Sequence, residues 1–140
     1  MKFFLIEVIT PSKTGYSGMA TSITIPGTKG SFQILYNHAP MISTFEIGKV
    51  KIVEQGGEEK VFATGGGTVE VLKNKVLLLA ESFESPEEID VQRAKDAYKR
   101  AEERIKNRNV EKIDEVRAEA ALQRSIIRLK LTGNFTGIND

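Results

Sequence analysis

The stretch SPEEIDVQRAKDAYKR, residues 85–100, is where the chain changes character. Ser85 offers an N-capping hydroxyl, Pro86 carries the fixed φ of a first helical position, and Glu88 follows the serine by three residues. This chemistry predicts a helix opening at Ser85. Ala94, Ala97, Tyr98, Ala101 and Ile105 then recur at helical spacing. Asn107 and Asn109 interrupt the pattern, and a second helix is expected from about Glu111 to Leu131, ended by Gly133. The face-forming residues are mostly alanine, which lets the helices pack closely as an antiparallel hairpin. The tail from Thr132 to Asp140 carries no strong signal.

Upstream the period is two. Ile23 and Ile25 alternate with polar neighbours before the turn Pro26–Gly30, and Val50 and Ile52 alternate with lysines. Gln55-Gly56-Gly57 turns the chain so that Val61-Phe62-Ala63 can run back as a hairpin. Val69 and Val71 alternate with Thr68 and Glu70, Lys73-Asn74-Lys75 turns, and Val76 to Ala80 reads as a fully buried strand. Turn signals every ten or so residues indicate a sandwich or barrel. The expected fold is therefore α+β: an N-terminal antiparallel β-sandwich over residues 1–85, then a C-terminal antiparallel two-helix hairpin with a short tail over 86–140.

Composition removes several functions. The chain has no cysteine, which excludes disulfides, thiolate zinc sites and cysteine nucleophiles. His38 is the one histidine, so a metal site would need carboxylates for its other ligands, and no metal site is expected. Nothing in the sequence orients His38 as a catalytic base; Asn37 and Pro40 mark a turn around it, with Met41 and Ile42 beside them. It reads as structural or interfacial, and no catalytic residue is assigned. Glu7 interrupts the apolar run after Lys2, and no targeting segment is read there. No run approaches the ~20 apolar residues of a membrane span. There is no phosphate-binding G-x-x-x-x-G-K-[ST], and Gly65-Gly66-Gly67 reads as a bulge or close backbone approach rather than a dinucleotide fingerprint.

The cations are divided along the chain. Before Ser85 they are all lysines; all the arginines (93, 100, 104, 108, 117, 124 and 128) lie beyond it. Residues 89–100 and 113–124 share the pattern I-D-x-x-R-A-x-x-A-x-x-R, with a further arginine four residues on, at Arg104 and Arg128. Arginines at i, i+7 and i+11 fall within roughly 40° of one another on a helix. Each helix thus carries an arginine stripe, with Asp90 or Asp114 three residues before its first arginine. Two alanine-rich amphipathic helices under similar constraints could share such a pattern without function. The functional reading is an anion-binding or acid-docking surface, since the guanidinium fork suits carboxylate and phosphate. Residues 86–131 hold 12 Lys+Arg against 10 Asp+Glu, a net of only +2, which does not suit a nucleic-acid partner.

Four segments in order, TPSKTGYSG, PGTKGSFQILYNHAPMIS, GGGTVEVLKNKVLLLAE and EEIDVQRAKDAYKRAEER, resemble the epsilon subunit of bacterial F-type ATP synthase, called delta in mitochondria. The resemblance covers almost the whole chain. It departs at Gln33, where the family often has glycine, and at Tyr36, where proline is frequent. It implies a non-catalytic rotor subunit of the proton-translocating enzyme, peripheral to the inner (plasma) membrane on its cytoplasmic side and touching the membrane only through the complex. The sandwich would bind gamma and stand on the c ring through Tyr36, Asn37, His38, Ala39, Pro40, Met41 and Ile42. The hairpin would extend into the alpha/beta catalytic head and inhibit ATP hydrolysis. No cofactor is required, but ATP is implied as a regulatory ligand, held by Glu84, Ile89, Asp90, Arg93, Ala94, Arg100, Arg124 and Arg128. The alternative is a free-standing nucleotide-sensing module that uses the same arginines.

Overall fold

A computed structural model describes residues 2–107 and 112–135. They form seven strands, β1 (Phe4–Ile9), β2 (Thr14–Gly27), β3 (Gly30–Leu35), β4 (Met41–Glu54), β5 (Glu59–Leu72), β6 (Lys75–Ala80) and β7 (Phe83–Glu84). A 3-10 turn (Pro86–Glu88), α1 (Val91–Lys106) and α2 (Lys112–Leu131) follow. The chain divides into two compact units, residues 1–85 and 86–140.

In the first unit the sheet runs β1-β6-β5-β4-β2-β3, and β1 also pairs with β2, so the ladder closes into a barrel-like sandwich with β3 hanging on β2. All pairings are antiparallel except β1 with β6, which is parallel with Leu5 opposite Lys75 and Ile9 opposite Leu79. That closing pair departs from the wholly antiparallel expectation. It joins segments some seventy residues apart, beyond the reach of turn signals.

The three long strands turn corners. In β4 the core-facing residues pass from Phe45 to Val50 and Ile52, and in β5 from Phe62 to Val69 and Val71, so each strand changes parity once. The β4–β5 register nevertheless keeps one offset, from Met41 opposite Val71 to Val53 opposite Glu59, skipping only Glu46 and Gly66. The change falls at Gly65–Gly67, where Gly66 has φ +92°, open to glycine but strained for other residues. The segments 61–63 and 69–71, expected as separate strands, are therefore one strand bent at the glycines. The core that results holds Phe4, Ile6, Ile23, Ile25, Ile34, Ile52 and Leu78, all at most 1% exposed. Phe62 stacks on Phe83 at 4.4 Å and meets the Tyr16 ring edge-on.

Strand β6 is not buried on both sides as expected. Val76, Leu78 and Ala80 face the core, but Leu77 is half-buried and Leu79 is 50% exposed. An unbroken apolar run cannot distinguish a strand covered on both faces from one whose outer face is apolar in its own right.

The second unit also corrects the helix start. Pro86–Glu88 forms only a 3-10 turn, with the Ile89 N–H donating to the Pro86 carbonyl at 3.3 Å. The α-helix begins at Val91, and its N-cap is Asp90, whose carboxylate accepts from the Arg93 N–H at 3.0 Å. A second capping residue five positions downstream took over from the Ser85 signal. Asn109 and Glu111, expected to separate and open the helices, lie outside the described residues, as do Arg108 and the tail beyond Phe135. Among the described residues no helix is long and apolar enough to cross a membrane.

Candidate functional site

The segment Tyr36–Ile42 links β3 to β4 at one end of the sandwich unit. Asn37 has φ +62°, a left-handed conformation that asparagine tolerates better than most side chains. Its N–H donates to the Asn74 side-chain carbonyl at 2.7 Å, and the Asn74 amide donates back to the Asn37 side chain at 3.2 Å. The His38 N–H donates to the Leu35 carbonyl, and its ring Nδ1 lies 2.8 Å from the Ala39 carbonyl. Ala39 and Pro40 are exposed. Met41 and Ile42, beside the turn, open β4: Met41 packs against the core, whereas Ile42 points outward, 78% exposed.

Ile42 belongs to a wider apolar face. Pairing registers carry it across β5 opposite Glu70, next to Leu77 of β6 and Glu7 of β1. On one side of this row Thr68, Leu79 and Ile9 align; on the other Leu72, Lys75, Leu5 and Met19. Exposure is 42% for Ile9 and for Met19, 48% for Leu72 and 50% for Leu79. The charges on this face neutralise one another in part, since Lys75 Nζ meets Glu7 at 2.8 Å. A sheet face bearing this many uncovered large aliphatics points to a partner. Leu79, Ile9, Leu72 and Met19 were missed as surface residues because nothing in the sequence says which parity faces out. The one available signal was the apolar residue at every position from Val76 to Ala80.

The other candidate set is divided. Glu84 lies in β7 of the sandwich unit, whereas Ile89, Asp90, Arg93, Ala94, Arg100, Arg124 and Arg128 lie in the helical unit. Ile89 and Ala94 are buried, so their side chains serve packing. Asp90 spends one carboxylate oxygen on the cap. Arg93 and Arg100 are exposed; Arg124 and Arg128 are half-buried.

The helical repeat is legible in the packing. Its equivalent small residues are buried in both helices, Ala94 with Ala118 and Ala101 with Ser125. On each helix the arginines precede these residues by one position, so they stand about 100° round from the packed side in the same rotational sense. Reversing one helix reverses that sense and its position together, so in an antiparallel pair both stripes emerge on one broad face. A cavity lies on the opposite flank, between Lys95, Tyr98 and Glu102 of α1 and Leu129 and Phe135; none of the four arginines lines it. The aspartates of the repeat are not equivalent, because Asp90 caps α1 while Asp114 sits inside the first turn of α2. Among the described residues no His/Asp/Glu cluster is arranged to hold a metal.

The division of the chain reappears among known proteins. Residues 4–86 match the ATP synthase delta/epsilon chain β-sandwich domain, and residues 87–133 match the long α-helix domain of the same chain. The chain belongs to the ATP synthase delta/epsilon family. An ATP synthase epsilon chain of Nitratidesulfovibrio vulgaris (strain DP4) is 41% identical over 129 residues, 92% of this chain and 95% of the relative. Two solved structures share the fold. One is a chain of the Euglena gracilis mitochondrial ATP synthase (OSCP/F1/c-ring), with TM-score 0.74, 19% identity and coverage of 88% of this chain and 77% of that one. The other belongs to the central stalk/c-ring of the Tetrahymena thermophila mitochondrial enzyme, with TM-score 0.59, 16% identity and coverage of 91% and 95%. As a family member the chain is a non-catalytic subunit of an ATP synthase, and the free-standing nucleotide-sensing module is not favoured.

Proposed function

We propose that this chain works in the rotor stalk of its ATP synthase. The sandwich unit docks gamma on the outer face of β1, β6 and β5, and its Tyr36–Ile42 end stands on the c ring. Attachment through these subunits keeps the chain at the cytoplasmic side of the plasma membrane. The observation that carries the reading is the alignment of Ile9 with Leu79, with Met19, Leu72 and Ile42 also uncovered on the same sheet face. Replacing Leu79 by glutamate places a charge in the middle of that face without touching the core. It should abolish co-purification with gamma while leaving the thermal midpoint within a few degrees. Retention of the variant in the complex would overturn the assignment.

The helical unit serves as the regulatory arm. Its arginine face offers charge-assisted, bidentate contacts to carboxylates of the alpha/beta head when extended, or to ATP phosphates when folded. The common face of the two stripes supports this, with Arg93 and Arg100 on one helix and Arg124 and Arg128 on the other. Removing residues 86–140 should raise ATP hydrolysis by the assembled enzyme without loss of assembly, because the sandwich is a compact unit with its own core. For the ATP role, alanine at Arg100 or Arg124 should weaken binding about ten- to a hundredfold by titration calorimetry. Absence of heat at millimolar ATP with the unaltered protein would leave a docking surface alone.

A further inference from the structure

The geometry points to Asn74 as a positioning residue that holds the Tyr36–Ile42 segment preformed for docking, an inference that rests on the reading of that segment as a rotor contact. Asn74 lies in the β5–β6 turn, 37 residues away in sequence, and the two asparagines grip each other twice. The Asn37 N–H donates to Asn74 Oδ1 at 2.7 Å, and Asn74 Nδ2 donates to Asn37 Oδ1 at 3.2 Å. Both residues are left-handed, with φ +62° and +59°. The Asn74 backbone carbonyl also accepts the Leu5 N–H at 3.0 Å, which anchors the turn to the start of β1. One residue thereby ties three segments together. Around the clasp stand Leu35, Tyr36, Leu72 and Ile42, all exposed and all on segments it joins. Without it the 36–40 link would carry the ordering cost of docking at the moment of contact, and preorganisation removes that cost.

Glycine separates the two properties of Asn74, because it keeps the left-handed backbone and deletes the amide. Asn74→Gly, Asn37→Gly and the double variant would be compared in the full chain. The measurements are amide hydrogen exchange at His38 and reassociation with ATP synthase depleted of this chain. Asn74→Gly removes both bonds and should speed His38 exchange about tenfold and weaken reassociation about five- to tenfold. Asn37→Gly keeps its backbone N–H, loses only the 3.2 Å bond and should do less, with the thermal midpoint within a few degrees in both. The double variant should be no worse than Asn74→Gly alone, the mark of one shared interaction. Ile42→Glu serves as the control on docking itself. If Ile42→Glu weakens reassociation and Asn74→Gly does not, the positioning role is overturned and the docking reading stands. If neither weakens it, both fall. Strictly additive effects of the two glycines would likewise overturn the clasp.

Discussion

A Cβ placed on Gly67 would lie 1.9 Å from the carbonyl oxygen of Leu79. The two residues sit on neighbouring strands, where Gly67 pairs with Ala80 and Thr68 with Leu79, so the obstructing atom is backbone and cannot rotate away. Gly67→Ala should therefore force β5 and β6 apart at the corner of the sandwich. The cost is about 3 kcal/mol or more, at the upper end of overpacking effects. Thermal melting of the full chain should show the β-sheet transition falling by ~10 °C or more. A fall of under 2 °C would mean that the strands can part without loss.

Thr64 is 3% exposed, and its hydroxyl works twice, donating to the Ser82 carbonyl at 3.0 Å and accepting the Gly66 N–H at 3.2 Å. Thr64→Val preserves shape and leaves both backbone groups without that partner, at a cost of about 1–3 kcal/mol. Thr64→Ser keeps the hydroxyl and should lose less than half as much. Denaturant midpoints measure both; a loss in Thr64→Val no greater than in Thr64→Ser would mean that the hydroxyl adds nothing to stability.

Tyr16 donates a hydrogen bond to the Glu54 carboxylate, which also lies 3.4 Å from Lys60 Nζ. Burial, and then the bond to Glu54, push the Tyr16 hydroxyl well above its usual value of 10.0; the same bond, and then Lys60, hold Glu54 below its usual 4.5. A lowered carboxylate stabilises the fold fully above its unfolded pKa and loses that contribution as pH falls through the folded one. A raised phenol does so below its unfolded pKa and loses it as pH rises above about 10. Tyr16→Phe should flatten the fall in stability at both ends and lower the plateau at neutral pH. Unchanged slopes in a stability-against-pH series would place the titrating groups elsewhere.

Ala101 and Ala118 are 3% and 1% exposed, at the packed sides of α1 and α2. Leucine at either position adds three carbons where the close approach leaves no room, costing about 1–3 kcal/mol. Melting followed at 222 nm should show the helical transition move to lower temperature while the β-sheet signal holds. Coincident movement of both would mean that the units unfold together.

Much of this protein was determined locally. Turn residues such as Pro26–Gly30 and Gln55–Gly57, alternation in Val69–Val71 and the arginine and alanine spacing beyond Ser85 each act within a few residues. They were enough to specify strands followed by a helical pair. The arginine stripes too are a property of 3.6 residues per turn and need no tertiary contact. What the tertiary structure decided is everything that depends on partners far along the chain. The parallel β1–β6 closure sets Ile9 beside Leu79 and determines which parity of β6 looks outward, so an apparently buried strand became half of an apolar face. Asn74 and Asn37 each favour a left-handed turn in isolation, but only the β4–β5 pairing, with Met41 opposite Val71, brings them within hydrogen-bond reach. The same holds at the boundary, where Ser85 and Asp90 both carry capping chemistry. There the packing of Ile89 and Ala94, which are buried, accompanies the helix that starts at Asp90, because burial of apolar surface outweighs the modest free-energy difference between two caps.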